Sequence, residues 1–293
     1  MDLVGKGILA HGVTSYCPTV VTSPSTVYHK VLPLIQPRQG GHHGATVLGV
    51  HVEGPFINKE KKGAHPPAYI FSPTEGMKSA LEMYGPGFSN VRIITLAPEL
   101  TGSLQVVTGC VERGVTVSLG HTMAQLADGE EAVRAGARMV THLFNAMSSF
   151  HHRDPGLVGL LTSEKLAGKR VWYGIIADGV HAHPAAIRIA YKTNFENLVL
   201  VTDAVSAMGF KDGRYQFGQQ TIEVRGDKAY VADTNVSLFE DHFSPKHNFP
   251  LEDTDGLRGD HAEQPHQVRQ VCPEQRGGGS GGRLAPPGRD PGY

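Results

Sequence analysis

Cysteine is scarce in this sequence: Cys17, Cys110 and Cys272 are scattered through 293 residues. Their spacing matches no zinc or disulfide framework. It fits a reducing compartment, with Cys17 and Cys110 expected as small buried hydrophobes. Also missing is any run of roughly 18 apolar residues, the length a membrane-spanning helix needs. The opening stretch MDLVGKGILAHGVTSY lacks the charged-then-apolar pattern of a secretory signal. Neither charge is in excess, with 27 basic against 28 acidic residues and a net charge of −1. That balance argues against a broad nucleic-acid or membrane footprint. The expectation is a soluble, cytoplasmic protein with one large domain.

What the chain does have is histidine, 16 in all, and seven short apolar runs. The runs are HGVTSYCPTVV (11–21), TVLGVHVEG (46–54), VRIITLAPE (91–99), GVTVSLGH (114–121), RMVTHLF (138–144), VWYGIIADG (171–179) and LVLVTDA (198–204). Their hydrophobicity is continuous rather than alternating, as in parallel strands covered on both faces. Helix-like stretches separate them. Ser23–Pro24 and Ser72–Pro73 offer an N-cap with proline at the first helical position, and AQLADGEEAVRAGA and HPAAIRIAYKTN carry apolar residues at helical spacing. The fold class expected is α/β, and a closed barrel of this type needs eight strands. GRYQFGQQTIEVRGDKAYVA (213–232) reads as a β-hairpin. From Asp233 onward Gly, Pro and charge dominate, so 1–232 is expected to fold and 233–293 to form a low-complexity, disordered tail.

Four runs end in an ionisable side chain: Glu53, His121, His142 and Asp203. A carboxylate at the end of an oily strand costs several kcal/mol unless it is compensated. A barrel gathers its strand C-termini around one mouth, where such residues can meet. Two imidazoles and one carboxylate suit Zn²⁺ or a similar divalent ion with an open position for water, leaving Asp203 to act on that water. In the neighbouring loops, Asn145 and Ala146 are candidates to hold an amide or phosphate. The Arg153 fork suits a phosphate, and His181 is placed to polarise a carbonyl. Lys59, Lys61 and Lys62 read as solvated, His183 as a helix-starting residue, and His29 as an exposed helix residue. His51 shares strand parity with Glu53 and reads as a support for it.

Together GVTSYCPT, HVEGPFIN, KKGAH, LAPE, SLGHT, THLFNAM, RDPG, IADGVH and LVTDA, in this order across roughly 7–232, resemble the N-acetylglucosamine-6-phosphate deacetylase family of the amidohydrolase superfamily. The resemblance implies a (β/α)₈ barrel and one divalent metal, Zn²⁺, held by Glu53, His121 and His142. It implies Asp203 as catalytic acid/base, and His65, Asn145, Ala146, Arg153 and His181 as substrate contacts. It further implies a small-molecule amino-sugar phosphate as partner and a homodimer for the full-length family. The chain departs from that family at both ends. An opening barrel strand and a small β-domain are expected to be missing, and the tail from Asp233 stands where a Gly-Ser loop and closing strands would be. An inactive, shortened form that binds or regulates the full-length enzyme is therefore a second expectation. Deaminase-like relatives more often carry a His-x-His pair on the first strand, and none stands there.

Overall fold

The computed structural model describes residues 1–204, 210–217, 220–226 and 228–233. Among the described residues the strands are, in chain order, β1 (Ser15–Tyr16), β2 (Thr19–Val21), β3 (Thr46–Val47), β4 (Val50–Glu53), β5 (Val91–Leu96), β6 (Thr116–Leu119), β7 (Met139–Val140), β8 (Trp172–Ile176), β9 (Leu198–Val201), β10 (Gly213–Phe217), β11 (Gln220–Arg225) and β12 (Lys228–Val231). The α-helices are α1 (Asp2–Leu9), α2 (Ser25–Val31), α3 (Met77–Tyr84), α4 (Ser103–Glu112), α5 (Leu126–Ala135) and α6 (Pro184–Asn194).

Seven strands form one parallel sheet in the order β2-β4-β5-β6-β7-β8-β9, and each of the seven apolar runs supplies one of them. The sheet follows chain order, so every crossover is between neighbours and all strand C-termini lie along one rim. Among the described residues β2 and β9 are not paired with each other, and the sheet is open. β1 and β3 form a separate parallel pair, and β10–β11–β12 an antiparallel sheet. The expected hairpin is thus extended by a third strand. The expected tail, 234–293, lies outside the described residues.

Packing explains the continuous hydrophobicity. Ile94, Leu96, Val117, Leu119, Val140, Tyr173 and Ile175 are all fully buried in one cluster. Each such aliphatic side chain contributes about 1.5–3 kcal/mol relative to exposure. Helices cover the sheet with one stripe each: α4 buries Ser103, Val106, Val107, Gly109 and Cys110, a spacing of three and four residues. Cys110 is buried as expected, whereas Cys17 is only half-buried.

Two helix starts differ from expectation. α2 begins at Ser25 with Pro24 in the N-cap position, and the Ser23 hydroxyl donates to the Val21 carbonyl instead of capping. α3 begins only at Met77, after Gly76. There Gly76 N–H donates to the Pro73 carbonyl and forms a turn, so Ser72–Pro73 opens a loop. Local hydrogen bonds to the backbone compete with helix initiation at both serine–proline pairs.

The turn after β4 is held firmly. The Tyr84 hydroxyl lies 2.9 Å and the Tyr28 hydroxyl 3.3 Å from the Gly54 carbonyl oxygen, and the two rings meet edge to face at 5.1 Å. Gly54 itself has φ 78°, a left-handed value that L side chains rarely adopt. A β-carbon there would stand 2.1 Å from Thr22 Oγ1. Gly54→Ala is therefore expected to cost about 1–3 kcal/mol from backbone strain, read as a lower midpoint in urea at unchanged slope. An unchanged midpoint would show that this turn yields freely.

Candidate active site

Along the rim, Glu53 is the last residue of β4, and His121, His142 and Asp203 each follow by two residues the end of β6, β7 and β9. Glu53, His121 and His142 are 4%, 4% and 5% exposed, values that demand compensation for every polar atom they carry. Glu53 Oε1 lies 2.8 Å from His121 Nε2 and 3.3 Å from His142 Nε2, and the two Nε2 atoms are 3.1 Å apart.

Proton placement at His121 follows from its other side. Its Nδ1 lies 2.7 Å from the Lys61 carbonyl oxygen; a carbonyl only accepts, so Nδ1 carries the hydrogen. Burial, with neighbouring His65, lowers the His121 pKa below 6.5. The ring is therefore neutral at pH 7, and Nε2 turns a lone pair toward the carboxylate oxygen. Two acceptors at hydrogen-bond distance repel unless a proton or cation stands between them. Donors around a tetrahedral ion with bonds of about 2.0–2.1 Å are separated by about 3.3 Å, close to all three spacings seen here. The donor set and its geometry fit a divalent metal ion.

A second histidine competes for the third position. His65 is buried, and its Nε2 lies 3.8 Å from Glu53 Oε1. Glu53, His65 and His121 also form a compact group able to hold a metal ion. The backbone N–H of Thr22 donates to His65 Nδ1 at 3.3 Å, so the hydrogen of a neutral ring is on Nε2, facing the carboxylate. His142 is nearer, and the tautomer of His65 suits donation rather than ligation.

Electrostatics agree with a converging site. Burial raises the Glu53 pKa, but the neighbouring imidazoles of His121, His142 and His65 outweigh it and hold the carboxyl well below its usual range. Asp203 is exposed at the rim. Even so, desolvation by its surroundings and the Glu53 charge push its carboxyl up to about 6, opposed by His142, His121 and His181. Feeling those four groups places Asp203 on the same mouth. The backbone is unusual here as well. His121, His142, Phe144, Ala146 and Asp203 all have positive φ, the sparsely populated conformation that clusters at functional sites.

The remaining candidates are distributed around this centre. Asn145 follows the His142 turn, and its side-chain nitrogen has no hydrogen-bond partner among the described residues. Ala146 is buried, and its carbonyl accepts from Thr122 N–H at 2.9 Å. Arg153 is exposed on the turn whose backbone N–H donates to His151 Nδ1. His181 Nδ1 lies 2.6 Å from Asp178 Oδ2. Desolvation works against the Asp178 charge, but hydrogen bonds from His181 and from the N–H groups of His181 and Val180 lower its pKa to about 2. His183 accepts from Ala185 N–H and caps α6, as expected.

Of the supports, sequence reasoning singled out only His51. Lys61 contributes a carbonyl rather than a charge, and Thr22 and Asp178 orient His65 and His181. His51 anchors a row of hydroxyls beneath the site. Its Nδ1 lies 3.0 Å from Thr19 Oγ1 and its Nε2 2.8 Å from Thr95 Oγ1. Thr141 Oγ1 continues the row, 2.7 Å from Thr95 Oγ1 and 2.6 Å from Ser118 Oγ. Only the period-two alternation along β4 and β5 hinted at it, since hydroxyls inside a strand read as ordinary β formers.

These shifts fix the sign of a pH effect on the metal-free chain. Burial lowers His121 and His51 below 6.5, so they take up protons more readily when unfolded, and stability falls as pH drops through that region. Glu53, held low, adds stability that is present above its unfolded pKa and lost on further acidification. Asp203, shifted up to about 6, has the opposite sign and offsets part of the fall from about pH 7 downward. The melting temperature of the metal-free chain is expected to fall as pH goes from about 7.5 to about 6, with His121→Gln flattening the slope. A slope of opposite sign would show that these rings are protonated in the folded chain.

No family model matches the chain. Comparison with curated proteins finds N-acetylglucosamine-6-phosphate deacetylases of Bos taurus, 58% identical over 236 residues, and of Homo sapiens, 57% identical over 236 residues. In both cases the match takes in 80% of this chain and 58% of the relative. Among solved structures, the Thermotoga maritima deacetylase superposes with TM-score 0.67 at 28% identity, covering 80% of this chain and 62% of that one. A Mycobacterium smegmatis mutant in complex with N-acetyl-D-glucosamine 6-phosphate gives 0.65 at 32%, covering 78% and 57%. The resemblance carried by the motifs is borne out: over 80% of its residues the chain is similar to N-acetylglucosamine-6-phosphate deacetylases, and it spans little more than half of their length.

Proposed function

We propose that this chain hydrolyses the acetamide of N-acetylglucosamine 6-phosphate to acetate and glucosamine 6-phosphate, and that its open sheet represents seven strands of a (β/α)₈ barrel. The observation that carries this reading is the buried Glu53–His121–His142 group, with an imidazole lone pair facing a carboxylate oxygen at 2.8 Å. A divalent ion, best Zn²⁺, held by Glu53, His121 and His142 would supply a Lewis acid and a water of lowered pKa.

The chain's own residues do the rest. Asp203, with its carboxyl shifted upward, takes the proton of the attacking water and returns it to the leaving amine. Asp178 holds His181 through Nδ1; carrying hydrogen on both nitrogens, the ring would donate Nε2–H to the acetyl oxygen. Asn145 has an amide donor without a partner among the described residues, suited to a phosphate or sugar oxygen. Arg153 offers a planar fork to the distant phosphate and so uses a non-reacting group to position the amide. His65 presents an N–H near Glu53, suited to a sugar hydroxyl.

Zinc-loaded full chain should release acetate from N-acetylglucosamine 6-phosphate. Asp203→Asn should lower kcat by about 10²–10⁴-fold, the range of a lost acid/base group, with KM little changed. Arg153→Ala should raise KM for the phosphorylated sugar and leave the unphosphorylated sugar unaffected. A relative in Escherichia coli, 39% identical over 227 residues, is an N-acetylgalactosamine-6-phosphate deacetylase, so the C4 epimer belongs in the same assay. Zinc-loaded chain that turns over neither sugar faster than Asp203→Asn does would reject the proposal.

A further inference from the structure

His121 can face Glu53 with a lone pair only while the Lys61 carbonyl sits against its Nδ1, and the chain has to hold that carbonyl in place. Lys61 ends the short turn Lys59–Lys61 that follows β4. Asn58 governs this turn. Its Oδ1 accepts from Glu60 N–H at 2.9 Å, its carbonyl accepts from Lys61 N–H at 3.0 Å, and its own N–H donates to the His121 carbonyl at 2.8 Å. The Asn58 side-chain nitrogen donates in turn to Glu99 Oε1 at 3.0 Å.

Glu99 lies beyond the end of β5, three residues past Leu96. The same Oε1 accepts from Met123 N–H at 2.8 Å, and Oε2 accepts from the Thr122 hydroxyl. One carboxylate therefore ties the loop after Glu53 to the loop after His121. Thr122 N–H continues the tie to the Ala146 carbonyl, in the loop after His142. The stretches that follow all three candidate ligands run through this junction, while among the described residues Glu99 has no hydrogen bond to any of the three ligand side chains.

We propose that Glu99 is a positioning residue: by gripping Asn58 and the Thr122–Met123 turn it keeps the Lys61 carbonyl on His121 Nδ1, and so keeps His121 Nε2 free as a metal donor. This rests on the metal reading given above. A charge is not required for the grip. Glutamine keeps one oxygen for Asn58 and Met123, and its amide can donate to the Thr122 hydroxyl, which already accepts from Ala124 N–H at 2.9 Å.

The test uses the full chain, labelled with ¹⁵N-histidine. It reads the tautomer of His121 without metal (assigned by loss of its signal in His121→Gln) and then the zinc affinity by competition with a chelator. The unaltered chain and Glu99→Gln should both show hydrogen on Nδ1 and similar affinities. Glu99→Ala should lose that tautomer preference and bind zinc about 10–100-fold more weakly, as supports of metal ligands do. Asn58→Asp keeps the Oδ1 cap and the side-chain volume but opposes Glu99 with a like charge. It should reproduce both changes and serves where Glu99→Ala does not fold. A folded Glu99→Ala or Asn58→Asp chain whose His121 stays protonated on Nδ1 would overturn the proposal. An unaltered chain with that tautomer but no zinc binding would instead sink the metal reading and leave the Glu99 inference to stand on the tautomer.

Discussion

A buried carboxylate with an imidazole lone pair 2.8 Å away sets two acceptors against each other, and little water reaches them to weaken the repulsion. The rest of this structure makes sense as the means of holding them there. The Lys61 carbonyl decides which nitrogen of His121 bears hydrogen, and the Tyr28 and Tyr84 hydroxyls secure the turn that ends β4. The parallel sheet places donors from three strands on one rim. Each of these features is ordinary alone. Their joint effect is a cluster of lone pairs of the kind a small cation can satisfy.

Much of this was legible in the residue order, because burial on both faces of a strand leaves an unmistakable continuous run. Seven such runs each yield one strand of the main sheet, and an ionisable residue at the end of a run marks the rim. The helix starts were less legible. Ser23 and Ser72 have the composition of a cap, but the Ser23 hydroxyl goes to the Val21 carbonyl, and after Ser72 the Gly76 N–H closes a turn on the Pro73 carbonyl. A pattern of residue types does not reveal which local bond will win.

Supports were least legible of all. Glu99 appears in the motif LAPE as a polar residue after a strand, and nothing in its neighbours announces Asn58 or Thr122 as partners. Lys61 is worse, since its side chain suggests a solvated charge while its peptide oxygen does the orienting. Contacts made by backbone atoms across 60 residues have no signature in composition or period. The same holds for the row of hydroxyls under the site, built from Thr19, Thr95, Thr141 and Ser118 around His51.

That row has a directional property. Each hydroxyl owns a single hydrogen, so for every contact between His51 and Ser118 to be made at once, the hydrogens must all point the same way along it. Moving the ring hydrogen of His51 from one nitrogen to the other reverses the whole row. The orientation of one imidazole is thereby relayed to a serine on β6, two strands away, without displacing a single peptide.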